Sequence, residues 1–122
     1  MSTPFTSMLQ AISRQRGVTA ALVVLEQDGI VVDSNVQIGQ SGDRVAALAA
    51  SLYRKARLSS QAAGLGAVSF MQLEAPHGRL CAAGAGDLVL VVVAASVVNV
   101  GMVRVAMLRA VSELAAYGGR PT

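Results

Sequence analysis

A catalytic or metal site in this chain would have to be built from few parts. There is one histidine, His77, one cysteine, Cys81, and seven carboxylates, Glu26, Asp28, Asp33, Asp43, Glu74, Asp87 and Glu113. A hydrolase with a serine nucleophile needs a histidine base. His77 stands between Pro76 and Gly78, where a solvated turn residue is expected. Metal centres need several converging donors, and these acids are dispersed. A single cysteine forms neither an internal disulfide nor a cysteine zinc site, and fits a reducing cytosol. Between Leu80 and Ala82 it reads as a packed thiol. No G-x-x-x-x-G-K-[ST] phosphate loop occurs, and the only lysine is Lys55. Gly64-Leu65-Gly66 and Gly84-Ala85-Gly86 lack the third glycine and the strand-to-helix setting of a dinucleotide loop, so they read as turns. The residue chemistry predicts no catalytic residue, no metal and no cofactor. It points to a binding module rather than an enzyme.

The elements that would position a binding surface follow from composition and spacing. The 122 residues suffice for one compact domain, expected over 1–117 with a flexible tail at 118–122. They are 53% hydrophobic but 3% aromatic, so Val, Ala and Leu must build the core. Charged residues make up 14%, against roughly 25% in an average domain. Much of the surface is therefore apolar or covered by a partner, and a core of small side chains favours self-association. Net charge is +3, and the basic residues are scattered apart from Arg54-Lys55-Arg57. That cluster admits a small basic nucleic-acid binder as the weakest alternative. Without Trp and with few stacking rings, nucleic acid is not expected as a partner. The start, MSTPFTSMLQAISRQRG, lacks the pattern of a secretory leader, so a cytoplasmic protein is expected. The stretch DLVLVVVAASVVNVGMVRVAML carries no charge over the 16 residues between Asp87 and Arg104. That is short of the roughly 20 needed to span a bilayer, and no direct membrane insertion is expected.

Thr3 as cap and Pro4 in the first turn predict a helix with Phe5, Met8, Leu9 and Ile12 on one stripe, ended by Gly17. β-Branched runs at Val18–Leu25 and Ile30–Ser34 flank Asp28-Gly29, a two-residue hairpin signal. A helix follows over Gly42–Leu58. Val45, Leu48, Ala49, Leu52 and Ala56 form one face, widened by Ala46, Ala50 and Tyr53. The Ala-rich flank is expected to face a partner and the other flank a sheet. GAVSFMQLEA, GRLCAAGA and DLVLVVVAAS read as three strands, the last of them central, with turns at Pro76-His77-Gly78 and Gly86-Asp87. Asn99 caps a last helix whose inner face is Val100, Val103, Met107, Ala110, Val111 and Leu114. The order α-β-β-α-β-β-β-α with tight turns predicts an α+β fold, a five-stranded antiparallel sheet with helices on both faces.

DGIVVDS, GDRVAALAASLYRKA and LEAPHGRLCAAGAGDLVLVVVAASVVNVGMVRVAMLRAVSEL resemble the roadblock/LC7 family, from about Gly17 to Leu114. The most specific part is the ending, where Asp87, Leu90, Asn99, Gly101 and Arg104 match D-x-x-L-x-V…N-x-G-x-x-R. Asp28, Gly29 and Val31 match a weaker DG-x-V. The resemblance implies a profilin-like fold and a homodimer in which the Gly42–Leu58 helices pair antiparallel and strands near Val68–Leu73 join edge to edge. The interface residues it implies are Ala46, Ala49, Ala50, Tyr53, Val68 and Phe70. It also implies a non-enzymatic regulator or scaffold of a small Ras-like GTPase, similar to the GTPase-activating partner in bacterial gliding motility. Arg44, Arg54, Lys55 and Arg57 are the docking candidates, and an arginine offered in trans would stimulate GTP hydrolysis. The alternative is a structural adaptor that links a sensor histidine kinase-like protein or motility machinery without changing GTP turnover.

Overall fold

The computed structural model describes residues 3–37 and 41–118, with side chains described to residue 115. Eight elements run in the expected order. They are α1 (Thr6–Ser13), β1 (Val18–Leu25), β2 (Val31–Val36), α2 (Gly42–Ala62), β3 (Met71–Ala75), β4 (Gly78–Ala85), β5 (Leu88–Ala94) and α3 (Val100–Gly118). The strands form one sheet in the order β2-β1-β5-β4-β3, and every neighbouring pair is antiparallel. Of the expected tail, Gly118 closes α3 and residues 119–122 lie outside the described residues, as do residues 38–40 of the loop before α2.

The sheet has a core on each face. Leu9, Ile12, Ala21, Val23, Leu90, Val92, Val103, Met107 and Leu114 pack together under α1 and α3. Ala20, Leu22, Val24, Ala82, Val89 and Val91 pack under α2. Strand β5 is central and its alternate residues enter opposite cores, which is why Leu88–Ala94 is apolar without alternation. Each fully buried Val or Leu side chain contributes about 1.5–3 kcal/mol, so the strand's lack of charge reports its double burial. Among the described residues, no helix is long and apolar enough to cross a membrane.

Several boundaries differ from those read off the sequence. The first helix begins at Thr6, with Phe5 as N-cap residue and no side-chain cap. Thr3 instead accepts a hydrogen bond from the Phe5 N–H, and both Thr3 and Thr6 hydroxyls donate to Asp33 on β2. The β1–β2 connection is longer than two residues. Leu25 N–H donates to the Ile30 carbonyl and Gly29 N–H to the Leu25 carbonyl, both at 2.9 Å. Gly29 has φ +71°, and a Cβ there would stand 2.7 Å from the Ala47 Cα, so the turn is shaped by contact with α2. Val32 is skipped in the β1–β2 register, a bulge that places Asp33 opposite Val23. α2 runs four residues past Leu58 to Ala62, and β3 starts at Met71, leaving residues 66–70 outside the strand.

Candidate functional site

The expectation about α2 is reversed in the structure. Ala46, Ala49, Ala50 and Tyr53 are 0–4% exposed and lie against the chain's own sheet. They recur at i, i+3, i+4 and i+7, a complete helical stripe by themselves. Small side chains seat the helix close on the strands, so within the single chain these four are covered by its own sheet. The outward face carries Arg44, Leu48, Leu52 and Lys55, all exposed, with Leu48 at 65% and Leu52 at 38%. Spacings of four, four and three align them in one ridge.

Tyr53 shows how closely α2 is seated. Its hydroxyl donates to the Val68 carbonyl at 3.2 Å. Its ring lies over Gly84 of β4, where an added Cβ would fall 2.7 Å from the ring carbon bearing the hydroxyl. Burial pushes the Tyr53 phenol above its ordinary value. Gly84 lies in the strand expected over GRLCAAGA, and its missing side chain admits the tyrosine.

The docking candidates divide into two pairs. Arg44 and Lys55 stand on the outer ridge. Arg54 donates through one guanidinium nitrogen to the Glu26 and Gln27 carbonyls, at 3.0 and 3.1 Å. Arg57 makes two parallel 2.8 Å bonds to the Glu26 carboxylate, and that hydrogen bond, with the carboxylate's charge, raises its pKa further. Both arginines therefore hold the β1–β2 turn, beside a cavity of about 480 Å³ that Asp28 and Asp87 also line. Arg54-Lys55-Arg57 is consequently no continuous basic patch. Glu26 was not singled out in the sequence, because its partner lies 31 residues away and nothing local announces the pair.

Val68 and Phe70 precede β3 and are half-buried on opposite cores. Phe70 lies under the Arg104 guanidinium, 5.5 Å from the ring centroid. That contact gives the last position of the N-x-G-x-x-R ending a structural role. Its first position, Asn99, accepts a hydrogen bond from the Met102 N–H at 3.1 Å and so caps α3, as expected. The exposed sheet edge is β3 itself, where Gln72, Leu73, Glu74 and Ala75 are all exposed.

His77 sits in the two-residue turn between β3 and β4 and is exposed. Cys81 is buried in mid-strand, and burial pushes its thiol upward from the ordinary value. No group of three or more His, Cys, Asp or Glu that could hold a metal ion occurs among the described residues. Among the described residues, exposed large apolar side chains include Leu48 and Leu52 on α2, Leu73 on the β3 edge, and Met102 and Val105 on α3.

The sheet with α2 on one face and the terminal helices on the other defines a class of small α+β domains. Residues 5–94 match the family model described as Roadblock/LC7 domain, and the chain belongs to that family. The match spans α1 to β5 and ends before Asn99, Gly101 and Arg104. An uncharacterised protein of Methanocaldococcus jannaschii is 30% identical over 109 residues, covering 89% of this chain and 92% of the relative. The solved Roadblock/LC7 domain from Streptomyces avermitilis superposes with a TM-score of 0.81 at 24% identity, covering 91% of this chain and 94% of that one. The gliding protein MglB from Thermus thermophilus superposes at 0.80 with 20% identity, covering 95% and 91%. At such identities the likeness to the solved structures is one of fold.

Proposed function

We propose that the chain is a non-enzymatic, homodimeric regulator or scaffold that docks a small Ras-like GTPase. The observation that carries this is the outer ridge of α2, in which exposed Leu48 and Leu52 lie between Arg44 and Lys55 on a Roadblock/LC7 domain. The helix's other face is committed to the sheet, and the two leucines lie outside both cores. Paired antiparallel, two such ridges bury the leucines and set each Arg44 and Lys55 at the rim. The exposed β3 edge continues the same assembly, since an unpaired strand edge favours another strand. The GTPase lies across the paired helices, where the chain selects one arrangement of its switch regions. A protein whose fold is shared is called a gliding protein, which supports the same class of role.

The test is co-purification with the small GTPases of the same genome in both nucleotide states, together with GTP hydrolysis measured with and without the chain. Binding with a changed rate supports regulation. Absence of binding to all of them removes the proposal.

A second reading, the structural adaptor joined to a sensor-kinase-like protein, is favoured by one observation. Arg57 is held by two bonds to the Glu26 carboxylate and Arg54 by one nitrogen on the Glu26 and Gln27 carbonyls, so both point to their own turn rather than to a partner. In this case the GTPase binds but its hydrolysis rate stays flat. The chain is expected to act in the cytoplasm under either reading.

A further inference from the structure

We propose that the seam between α1 and α3, on the sheet face opposite α2, is a docking groove for an acidic amphipathic helix of another protein. Three adjoining cavities of about 220, 450 and 270 Å³ run along it. Gln15 lines all three, and Asn99, Met102, Ala106 and Arg109 each line two. From Asn99 to Glu113 the groove follows α3 for about 21 Å at about 1.5 Å per residue, the length of a helix of roughly 14 residues.

The apolar part of the groove is exposed without structural cause. Val103, Met107, Ala110 and Leu114 already seat α3 on the sheet. Val97, Met102 and Val105 are 83%, 60% and 59% exposed on the other side. Clustered exposed side chains of this kind mark an interaction surface, and a methionine adapts to the shape of its guest.

Charge decides the kind of guest. Across α1, α3 and residues 14–17 and 95–99, the described residues hold Arg14, Arg16, Arg104 and Arg109 against a single acid, Glu113. Arg16 and Arg109 line the groove itself, and Glu113 lines one end of it, which leaves the lining net positive. A guest with an apolar stripe and flanking carboxylates satisfies both features. A second copy docked by the same face would bring together two surfaces of the same net positive charge. None of the lining residues offers a ring for stacking on bases.

The test uses fluorescence anisotropy with two labelled helical peptides of about 14 residues. Both carry the same leucine stripe, one flanked by glutamates and the other by lysines. The glutamate peptide is expected to bind saturably and the lysine peptide not. Met102→Glu should weaken the glutamate peptide about tenfold or more. Arg16→Glu with Arg109→Glu should transfer preference to the lysine peptide. All three positions are on the surface, and circular dichroism verifies that the variants fold. Leu48→Glu, in the proposed seam between α2 helices, should leave peptide binding unchanged, which separates this groove from the proposed dimer and the GTPase platform that rests on it. Equal binding of both peptides, no binding, or loss on Leu48→Glu alone would overturn the proposal. So would preferential binding to phosphatidylserine-containing vesicles that Met102→Glu abolishes, since that would assign the face to lipid.

Discussion

Gly84 lacks a side chain because Tyr53 fills the space one would occupy. Gly84→Ala is therefore expected to cost about 1–3 kcal/mol, the usual penalty for overpacking a core. Urea unfolding checks this, and the tyrosine explains it if Tyr53→Phe in the same chain recovers part of the loss. Two other groups make stability depend on alkaline pH. Burial raises the Cys81 thiol above 9.0 and the Tyr53 phenol above 10.0. Each is neutral when protonated, so the folded state holds its proton more tightly than the unfolded state. The resulting stabilisation is complete below the unfolded pKa and is lost as pH rises through the folded pKa. The urea midpoint is expected to hold to about pH 9 and then fall. Cys81→Ala should move the onset of that fall to higher pH.

At the scale of elements, α3 depends on its first turn. Asn99→Ala removes the acceptor for the Met102 N–H and is expected to cost about 0.5–2 kcal/mol. Asn99→Asp keeps an acceptor and should cost less, as thermal unfolding of both variants would show. The element order, the central position of the last strand and the inner face of α3 were legible before any coordinates. Turn residues and hydrophobic period fix those locally. The orientation of α2 was not legible in the same way. Ala46, Ala49, Ala50 and Tyr53 make one stripe, and Val45, Leu48, Ala49, Leu52 and Ala56 make another, so size and hydrophobicity favoured the leucines as core. The structure chose the alanines, because α2 lies close enough for Ala47 to meet Gly29 and for Tyr53 to meet Gly84. A leucine stripe would hold the helix too far away for either contact. The strand start at Met71 was missed for a related reason. Val68 and Phe70 look like strand residues, but they are fixed by Tyr53 and Arg104 from distant elements.

For the whole molecule, the proposed assembly predicts a light-scattering mass of twice the chain's 12.5 kDa. Leu48→Glu with Leu52→Glu should return the monomer mass with the circular dichroism spectrum unchanged, because neither side chain is in the core. A monomer from the unaltered chain would remove the dimer and, with it, the GTPase platform across paired helices. Dimer and α1–α3 groove occupy opposite faces of one sheet. Variants on one face are therefore expected to add to, rather than mask, variants on the other.

What the sequence determined by itself was the local order: which segments are helices and strands, and that the sheet is antiparallel. Those follow from periodicity and turn residues, both of which act within a few residues. Tertiary structure alone decided which face of α2 is free. It turned Arg54 and Arg57 inward to Glu26, and it opened a basic, apolar groove where Gln15 and Arg16 meet α3. Each of these depends on contacts between residues some 18 to 94 positions apart, and no spacing rule along the chain encodes which distant partner a side chain will find.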